Sequence, residues 1–421
     1  MPKKNRYAVL ALVFVSVVIN YMDRTNISVA SAALTEELAL SSLQMGLIFS
    51  AFGWTYSLLQ IPGGIAVDLI KIRLLYPIIL FAWSLVTLLQ GFISSFAGLI
   101  GARMAIGVFE APSYPCNNKI VTDWFEPQER ASAIAIYTSG QFIGLAFLMP
   151  LLTLIQGQFG WRGLFIISGI VGIVWATVWY LLYRDPEAAP TAKTEHLAPR
   201  KFHPTDIVAV FKQPKLIGIF IGQFCLGGTL IFFLTWFPTY LVEYRGLDFI
   251  KSGFLASLPF LAAFVGVLVA GFLSDFLVRR HFSEEVARKA PVIIGLLLST
   301  TIVGANFTDD TFWVITFLSL AFFGNGLASI AWVFVSLLAP KHLVGLVGGC
   351  FNFVGGLSAV VVPVVIGVLV SDGDFRPALF FIALLALTGC TSYLFLVGKI
   401  HTVEINTTPN SKHPNTNSSL T

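Results

Sequence analysis

The sequence predicts an all-α polytopic membrane protein: twelve transmembrane helices in two pseudo-symmetric six-helix bundles. Three observations carry that expectation. Of the 421 residues, 56% are hydrophobic and 11% charged, with a mean hydropathy of +0.82, whereas soluble globular chains carry about 25% charge. The apolar residues fall into twelve runs of about 20, the length a helix needs to cross ~30 Å of hydrocarbon. Signatures of the first six runs return in the second six.

Each run is bounded by charged or turn residues. In chain order they place helices near 7–32, 44–68, 74–95, 98–121, 131–156 and 163–183, then near 215–242, 252–274, 290–305, 311–338, 345–369 and 376–398. The first follows MPKKNRY, which imitates the basic start of a signal peptide. Its apolar run outlasts a signal core and no small-residue cleavage site follows, so it reads as a span. Pro112 and Pro115 bend the fourth helix. The chain divides into an amino-terminal bundle (1–183), a polar, proline-rich linker (184–215), a carboxy-terminal bundle (216–399) and a Thr/Asn/Ser-rich disordered tail (400–421).

Charge placement orients the chain. With the amino terminus inside, twenty Lys and Arg fall in cytoplasmic segments and four, Arg162, Arg245, Lys251 and Arg376, in outer loops. This asymmetry puts both termini and the linker in the cytoplasm, and a multi-pass protein of the bacterial inner membrane is expected. Arg24 and Arg103 are left within the membrane runs. No basic run interleaved with aromatics points to nucleic acid, and a monomer is expected. Cys116, Cys225, Cys350 and Cys390 stand singly in apolar segments, and all six histidines lie in loops or the tail. No disulfide, metal or cofactor is therefore expected, and any proton relay falls to carboxylates. No hydrolase or metalloprotease motif occurs in the spans, so an enzyme is not expected.

The halves repeat. Gly64-Ile-Ala-Val-Asp68 with Arg73 returns 207 residues later as Gly271-Phe-Leu-Ser-Asp275 with Arg280. GQFIG at 140–144 against FNFVG at 351–355 sets Gln141 opposite Asn352. Two repeats related by an axis along the membrane normal form a carrier architecture, with substrate bound between halves that rock.

Four ionisable residues lie inside membrane runs: Asp23, Arg24, Arg103 and Glu110. Each costs about 2.5–3.5 kcal/mol in the hydrocarbon core, so they must face protein partners or a water-filled cavity. Arg103 and Glu110, seven residues apart, share one helical face. The four charges sum to zero. Protonating either carboxylate leaves +1, which complements one substrate carboxylate; at an effective dielectric near 20 that attraction is about 4 kcal/mol at contact. Proton and anion then strengthen each other's binding by the same factor, which is symport. The bland alternative is two buried salt bridges pinning helix 1 to helix 4. Of the pairings, Arg24 with Glu110 and Asp23 with Arg103 are expected, with Arg24 gripping the substrate carboxylate.

The glycine-aspartate-basic loop, with Arg103 and Gly107, resembles the signatures of the major facilitator superfamily. INYMDRTNISVA (19–30), FEAPSYPCNNKIVTDWF (109–125), ERASAIAIYTSGQFIGLAF (129–147), FFLTWFPTYL (232–241) and GGCFNFVGGL (348–357) are similar to the anion:cation symporter family within it, nearest its bacterial D-galactonate:proton symporters. Hexuronate and glucarate carriers share these motifs. The resemblance implies the major facilitator fold, proton-coupled uptake of a sugar-acid monoanion, protonation at Asp23 and Glu110, and Arg24 and Arg103 as paired arginines. A hexuronate symporter and a transport-inactive sugar-acid sensor are the alternatives.

The second half carries no membrane charge, so it must bind through neutral groups. Gln223, Ser329, Trp332 and Asn352, joined by Tyr56 and Gln141 from the first half, are the candidates. Amides and hydroxyls both donate to and accept from a polyol, and an aromatic face suits its C–H face; the same side chains also serve helix packing. Gly64, Asp68 and Arg73, with Gly271, Asp275 and Arg280, read as a latch between the halves in the outward-open state, through ion pairs and helix-end dipoles.

Overall fold

The computed structural model describes residues 3–126, 129–186, 204–340, 343–370 and 372–404, and among them it holds helices and connections but no strand. The order is α1 (Lys3–Leu38), α2 (Ser42–Leu58), α3 (Gln60–Leu69), α4 (Ile72–Gln90), α5 (Phe96–Glu110), α6 (Ser113–Trp124), α7 (Arg130–Leu182) and α8 (Pro204–Phe211). After these come α9 (Pro214–Thr235), α10 (Phe237–Thr239), α11 (Phe249–Arg279), α12 (Glu284–Ser299), α13 (Thr311–Ala328), α14 (Val333–Leu338), α15 (Val344–Leu369) and α16 (Arg376–Thr391).

Nine helices among the described residues are long and apolar enough to cross a membrane. Three features reconcile that count with the twelve runs of the sequence. The Ile136–Leu182 stretch joins two expected spans across Gly160, whose φ of 68° and ψ of 176° suit a residue without a Cβ. The second span breaks into α2 and α3 at Leu59, and the fourth into α5 and α6 at Ala111–Pro112, because proline removes a backbone donor and clashes with the preceding turn. Elsewhere the expected boundaries shift. Helix 1 runs 3–38 rather than 7–32, and the ninth span ends in a 3₁₀ stretch, Thr300–Phe307. Two spans end in single π turns, Tyr240–Tyr244 and Ser392–Leu396. The linker, read as polar and proline-rich, contains α8, while its middle (187–203) and the tail beyond 404 lie outside the described residues.

Side-chain caps start several helices. Ser41 and Gln44 form a reciprocal capping box on α2, and Ser95, Ser283 and Asp310 accept from early backbone N–H groups of α5, α12 and α13. Long packing partners then order the bundle: α7 lies along α1 and α4, α11 along α13, and α15 along α9.

Two seams join the elements before and after the linker, α2 against α15 and α7 against α11, and both rest on small residues. A Cβ on Gly46 would stand 2.5 Å from the Pro363 carbonyl oxygen, and one on Gly53 3.0 Å from that of Ala359. The Ser50 hydroxyl donates to the Val360 carbonyl (2.6 Å), and the Ser28 hydroxyl of α1 donates to that of Thr235 (2.5 Å). Ser31 and Thr239 share a 2.5 Å hydroxyl contact, and Phe142 meets Phe322 edge to face. These contacts run from mid-depth to the end opposite the linker, so the structure is closed at that far end.

Replacing Gly46 with valine should pry the far-end seam apart. The expected outcome is a longer separation between spin labels at Ser42 and Val370 in the variant than in the parent, with the helical signal in circular dichroism retained; an unchanged distance distribution would show that the seam absorbs the added side chain.

Candidate functional site

The four membrane charges lie among α1, α2, α4 and α5. On α5 the chain places Arg103 and Glu110 two turns apart on one buried face, and Ala111–Pro112 ends the helix directly after the carboxylate. Gly107 between them lets α5 press on α2: a Cβ there would stand 2.5 Å from the Phe52 carbonyl oxygen. That approach carries Phe52 and Tyr56, one turn apart on α2, over the guanidinium of Arg24.

The Arg24 Nε donates to Glu110 Oε2 at 2.8 Å. The carboxylate is fully buried, whereas the arginine side chain keeps 13% exposure. Three rings surround the cation: its guanidinium carbon lies 4.6 Å from the Tyr56 ring centre, 4.8 Å from Phe52 and 5.1 Å from Tyr21. Aromatic faces attract a cation without consuming its N–H donors, so this arginine is held in place with hydrogen-bonding capacity in hand. The Tyr21 hydroxyl in turn donates to Gln141 Oε1 (2.9 Å), tying Gln141 into the same cluster.

The expected Asp23–Arg103 ion pair is not formed. The Trp83 indole N–H of α4 donates to Asp23 Oδ2 (3.1 Å), and the Asn26 amide donates to Oδ1 (3.4 Å). Asp23 is therefore satisfied by neutral donors. Arg103, 3% exposed, lies 5.2 Å from the Phe52 ring centre, and its Nε and Nη1 have no hydrogen-bond partner. One buried cation thus stands beside two carboxylates without a direct bond to either.

The candidates of the second half gather on α9, α15 and the Ser329–Trp332 3₁₀ turn. Gln223 packs against Gly355, where a Cβ would stand 2.7 Å from its Cγ. Trp332 is 45% exposed and meets Phe351 edge to face at 4.8 Å, and Asn352, beside that ring, is exposed. Ser329 is half-buried at the start of the same turn. The α2–α15 seam links this group to the first: a Cβ on Gly356 would stand 2.9 Å from the Ser57 hydroxyl, so Tyr56 and Asn352 lie within about one turn of one contact.

The latch residues lie apart from this centre. Gly64 and Gly271 face open space. The Arg73 guanidinium rests 5.6 Å from the Tyr180 ring of the first half and its backbone N–H donates to Asp185 at the start of the linker; Arg280 rests 5.3 Å from Phe276. The side chains of Asp68 and Asp275 lie outside the described set. Sequence reasoning missed Tyr21, Phe52, Asn26 and Trp83. Tyr21 and Asn26 flank Asp23 within INYMDRTNISVA, where their spacing from it was a usable signal; Phe52 and Trp83 are apolar-run aromatics with nothing in the sequence to single them out.

Known proteins resemble this chain in sequence and in fold. The model of the Major Facilitator Superfamily matches residues 13–363. The chain is 47% identical to a D-galactonate transporter of Escherichia coli over 96% of its own length and 98% of that protein. It is 40% identical to the probable galactarate/D-glucarate transporter GarP of Escherichia coli, over 95% and 96% of the two chains. To a hexuronate transporter of Bacillus subtilis it is 30% identical over 90% and 91%. Among solved structures, a bacterial homologue of the human lysosomal transporter Spinster, in an inward-facing and unoccupied conformation, superposes with a TM-score of 0.75 at 19% identity, covering 94% of this chain and 96% of that one. A fold of paired helical repeats with charges at its centre, and relatives matched along nearly their whole length, make one identification: the chain is a transporter, not an enzyme, and belongs to the Major Facilitator Superfamily.

Proposed function

We propose that the protein is a proton-coupled symporter that imports a sugar-acid monoanion resembling D-galactonate. The observation that supports this best is the Arg24–Glu110 pair, in which the carboxylate is sealed and the arginine is partly open, ringed by aromatic faces. With both carboxylates ionised, the quartet Asp23, Arg24, Arg103 and Glu110 is neutral. A proton on Glu110 releases Arg24, whose free donors then take the substrate carboxylate in the bidentate manner that guanidinium favours. Arg103, buried without a bonded partner, supplies the second positive charge that keeps the carboxylates responsive to each other. Gln141 and Tyr56 from one side and Gln223, Ser329, Trp332 and Asn352 from the other recognise the polyol.

Transport proceeds by alternating access, with 1–183 and 216–399 rocking about the α2–α15 and α7–α11 seams and 184–215 as the linker. The Lys and Arg asymmetry orients the linker and both termini to the cytoplasm of a bacterium, in its inner membrane, and a monomer suffices because one chain carries both halves of the site. In that orientation the closed far end faces outward. When the halves rock the other way, Gly64, Asp68 and Arg73 with Gly271, Asp275 and Arg280 latch the inner end. The 47% identity to a D-galactonate transporter favours that acid; the 30% identity to a hexuronate transporter makes glucuronate and galacturonate the competitors to include in every assay.

Uptake of labelled D-galactonate and D-glucuronate into proteoliposomes, with and without an inward proton gradient, tests the reading. Galactonate should accumulate only with the gradient; flux indifferent to pH would remove the coupling, and preference for glucuronate would reassign the substrate. In the same assay Glu110→Gln should lose gradient-driven accumulation while still exchanging substrate. Arg24→Ala should weaken binding by roughly tenfold to a hundredfold, the range for losing a charge-assisted hydrogen bond, and an unchanged dissociation constant would exclude Arg24 as the clamp. Asn352→Ala should weaken polyol recognition, and unaltered transport by that variant would move recognition elsewhere in the second half.

A further inference from the structure

Asp23 has a neutral cradle where sequence reasoning expected an arginine, and the two donors of that cradle are chemically unequal. The Trp83 N–H points at Oδ2 (3.1 Å) and the Asn26 amide at Oδ1 (3.4 Å), and all three side chains are fully buried. We propose that Trp83, together with Asn26, is the positioning element that fixes which oxygen of Asp23 takes the transported proton. The inference rests on the symport reading above and goes beyond it by assigning a role to α4, a helix that supplies no charge to the site.

The chemistry follows from the donor inventory. An indole N–H can only donate, so Oδ2 must always present a lone pair to Trp83 and cannot carry a proton directed at it. A carbonyl oxygen accepts more strongly than the hydroxyl oxygen of a protonated carboxyl, so a proton arriving at Asp23 favours Oδ1 and leaves Oδ2 as the carbonyl facing Trp83. Asn26 tolerates both states: its amide nitrogen donates to Oδ1 when the carboxylate is ionised, and its own Oδ1, which has no hydrogen-bond partner, accepts the new O–H once the amide turns. One O–H bond forms at Asp23, none breaks in the cradle, and the charge of the quartet rises by one. The ionisable groups facing Asp23 are Arg103 and Glu110 of α5; Arg24, its chain neighbour, is turned to Glu110, and α4 contributes only the indole. Because Arg103 makes no hydrogen bond to it, the two neutral donors alone orient this carboxylate. They hold the ionised form without locking it as a salt bridge would, and that leaves Asp23 free to exchange its proton in each cycle.

The test is the pH profile of D-galactonate uptake by full-length protein in proteoliposomes, comparing parent, Trp83→Phe and Asn26→Ala. Phenylalanine keeps the ring packing and removes only the N–H; alanine removes the second donor. Losing the indole, a stronger partner for the ionised form than for the acid, favours the acid, so the half-maximal pH should move upward by about one unit for Trp83→Phe, a tenfold change in proton affinity; Asn26→Ala, which removes a partner of both forms, should move it less. Gradient-driven uptake should fall more than counterflow, because proton release slows. A profile that stays in place with ordinary flux in both variants overturns the proposal. Loss of counterflow together with a lowered melting temperature in both would make the contact structural and overturn it equally. A parent profile that is itself flat with pH sinks the symport reading, which separates that failure from failure of the cradle.

Discussion

The arrangement of the site depends on one ion pair, Arg24 with Glu110, placed where the membrane would solvate neither partner. A buried pair is a poor stability device, because desolvating two charges costs about what their attraction returns; its retention here points to a need for charge that can be rearranged. The surroundings are built for that. Tyr21, Phe52 and Tyr56 hold the guanidinium by their faces, and faces accept no hydrogen bonds of the strong kind that would bind it permanently. Glu110 is sealed while Arg24 is partly open, so of the two partners only the cation can be reached from outside the pair. The geometry of α5 makes this possible: Gly107 permits close approach to α2, and Pro112 ends the helix at the carboxylate.

In the proposed function the two halves divide the labour by chemistry. The first carries the charges and the second carries amides, a hydroxyl and an indole, which suits a substrate with one carboxylate and a chain of hydroxyls. The seam that joins them is part of the same device. Along α2 and α15, Gly46 and Gly53 close the far end through backbone contact and Ser57 meets Gly356 at the level of Tyr56. In the proposed cycle, a ligand that drew Tyr56 and Asn352 together would act on the same two helices that close the far end, which would couple binding energy to their separation.

Two of the helix interruptions adjoin the candidate site residues. The span after residue 311 tightens to a 3₁₀ turn over Ser329–Trp332, the segment that carries two of the polyol candidates. The α5–α6 break follows Glu110 directly. Such departures free backbone groups that are tolerated at membrane depth only where other parts of the protein or a cavity satisfy them, so they mark the inner surface of the carrier rather than its lipid face.

Much of this was legible in the chain itself. Hydropathy gave the spans because a bilayer imposes length on any helix that crosses it, and the intramembrane charges announced the site because their cost excludes accident. Pro112 was legible as a bend, which the structure makes a full break between α5 and α6, whereas Gly160 was not legible as a join: hydropathy reports apolar length and is blind to backbone angle. The pairing of the charges was only half legible. Arg24 and Glu110 do meet, whereas Asp23 turns to Trp83 and leaves Arg103 unbonded, a choice made by which helix faces stand opposite one another. An indole N–H aimed at a carboxylate has no signature in a run of apolar letters. The sequence by itself determined the membrane class, the repeated halves and the identity of the charged residues, since these follow from composition and transfer energy. The tertiary structure alone decided partners, exposure and which end is closed, since these depend on distances between helices that no local pattern encodes.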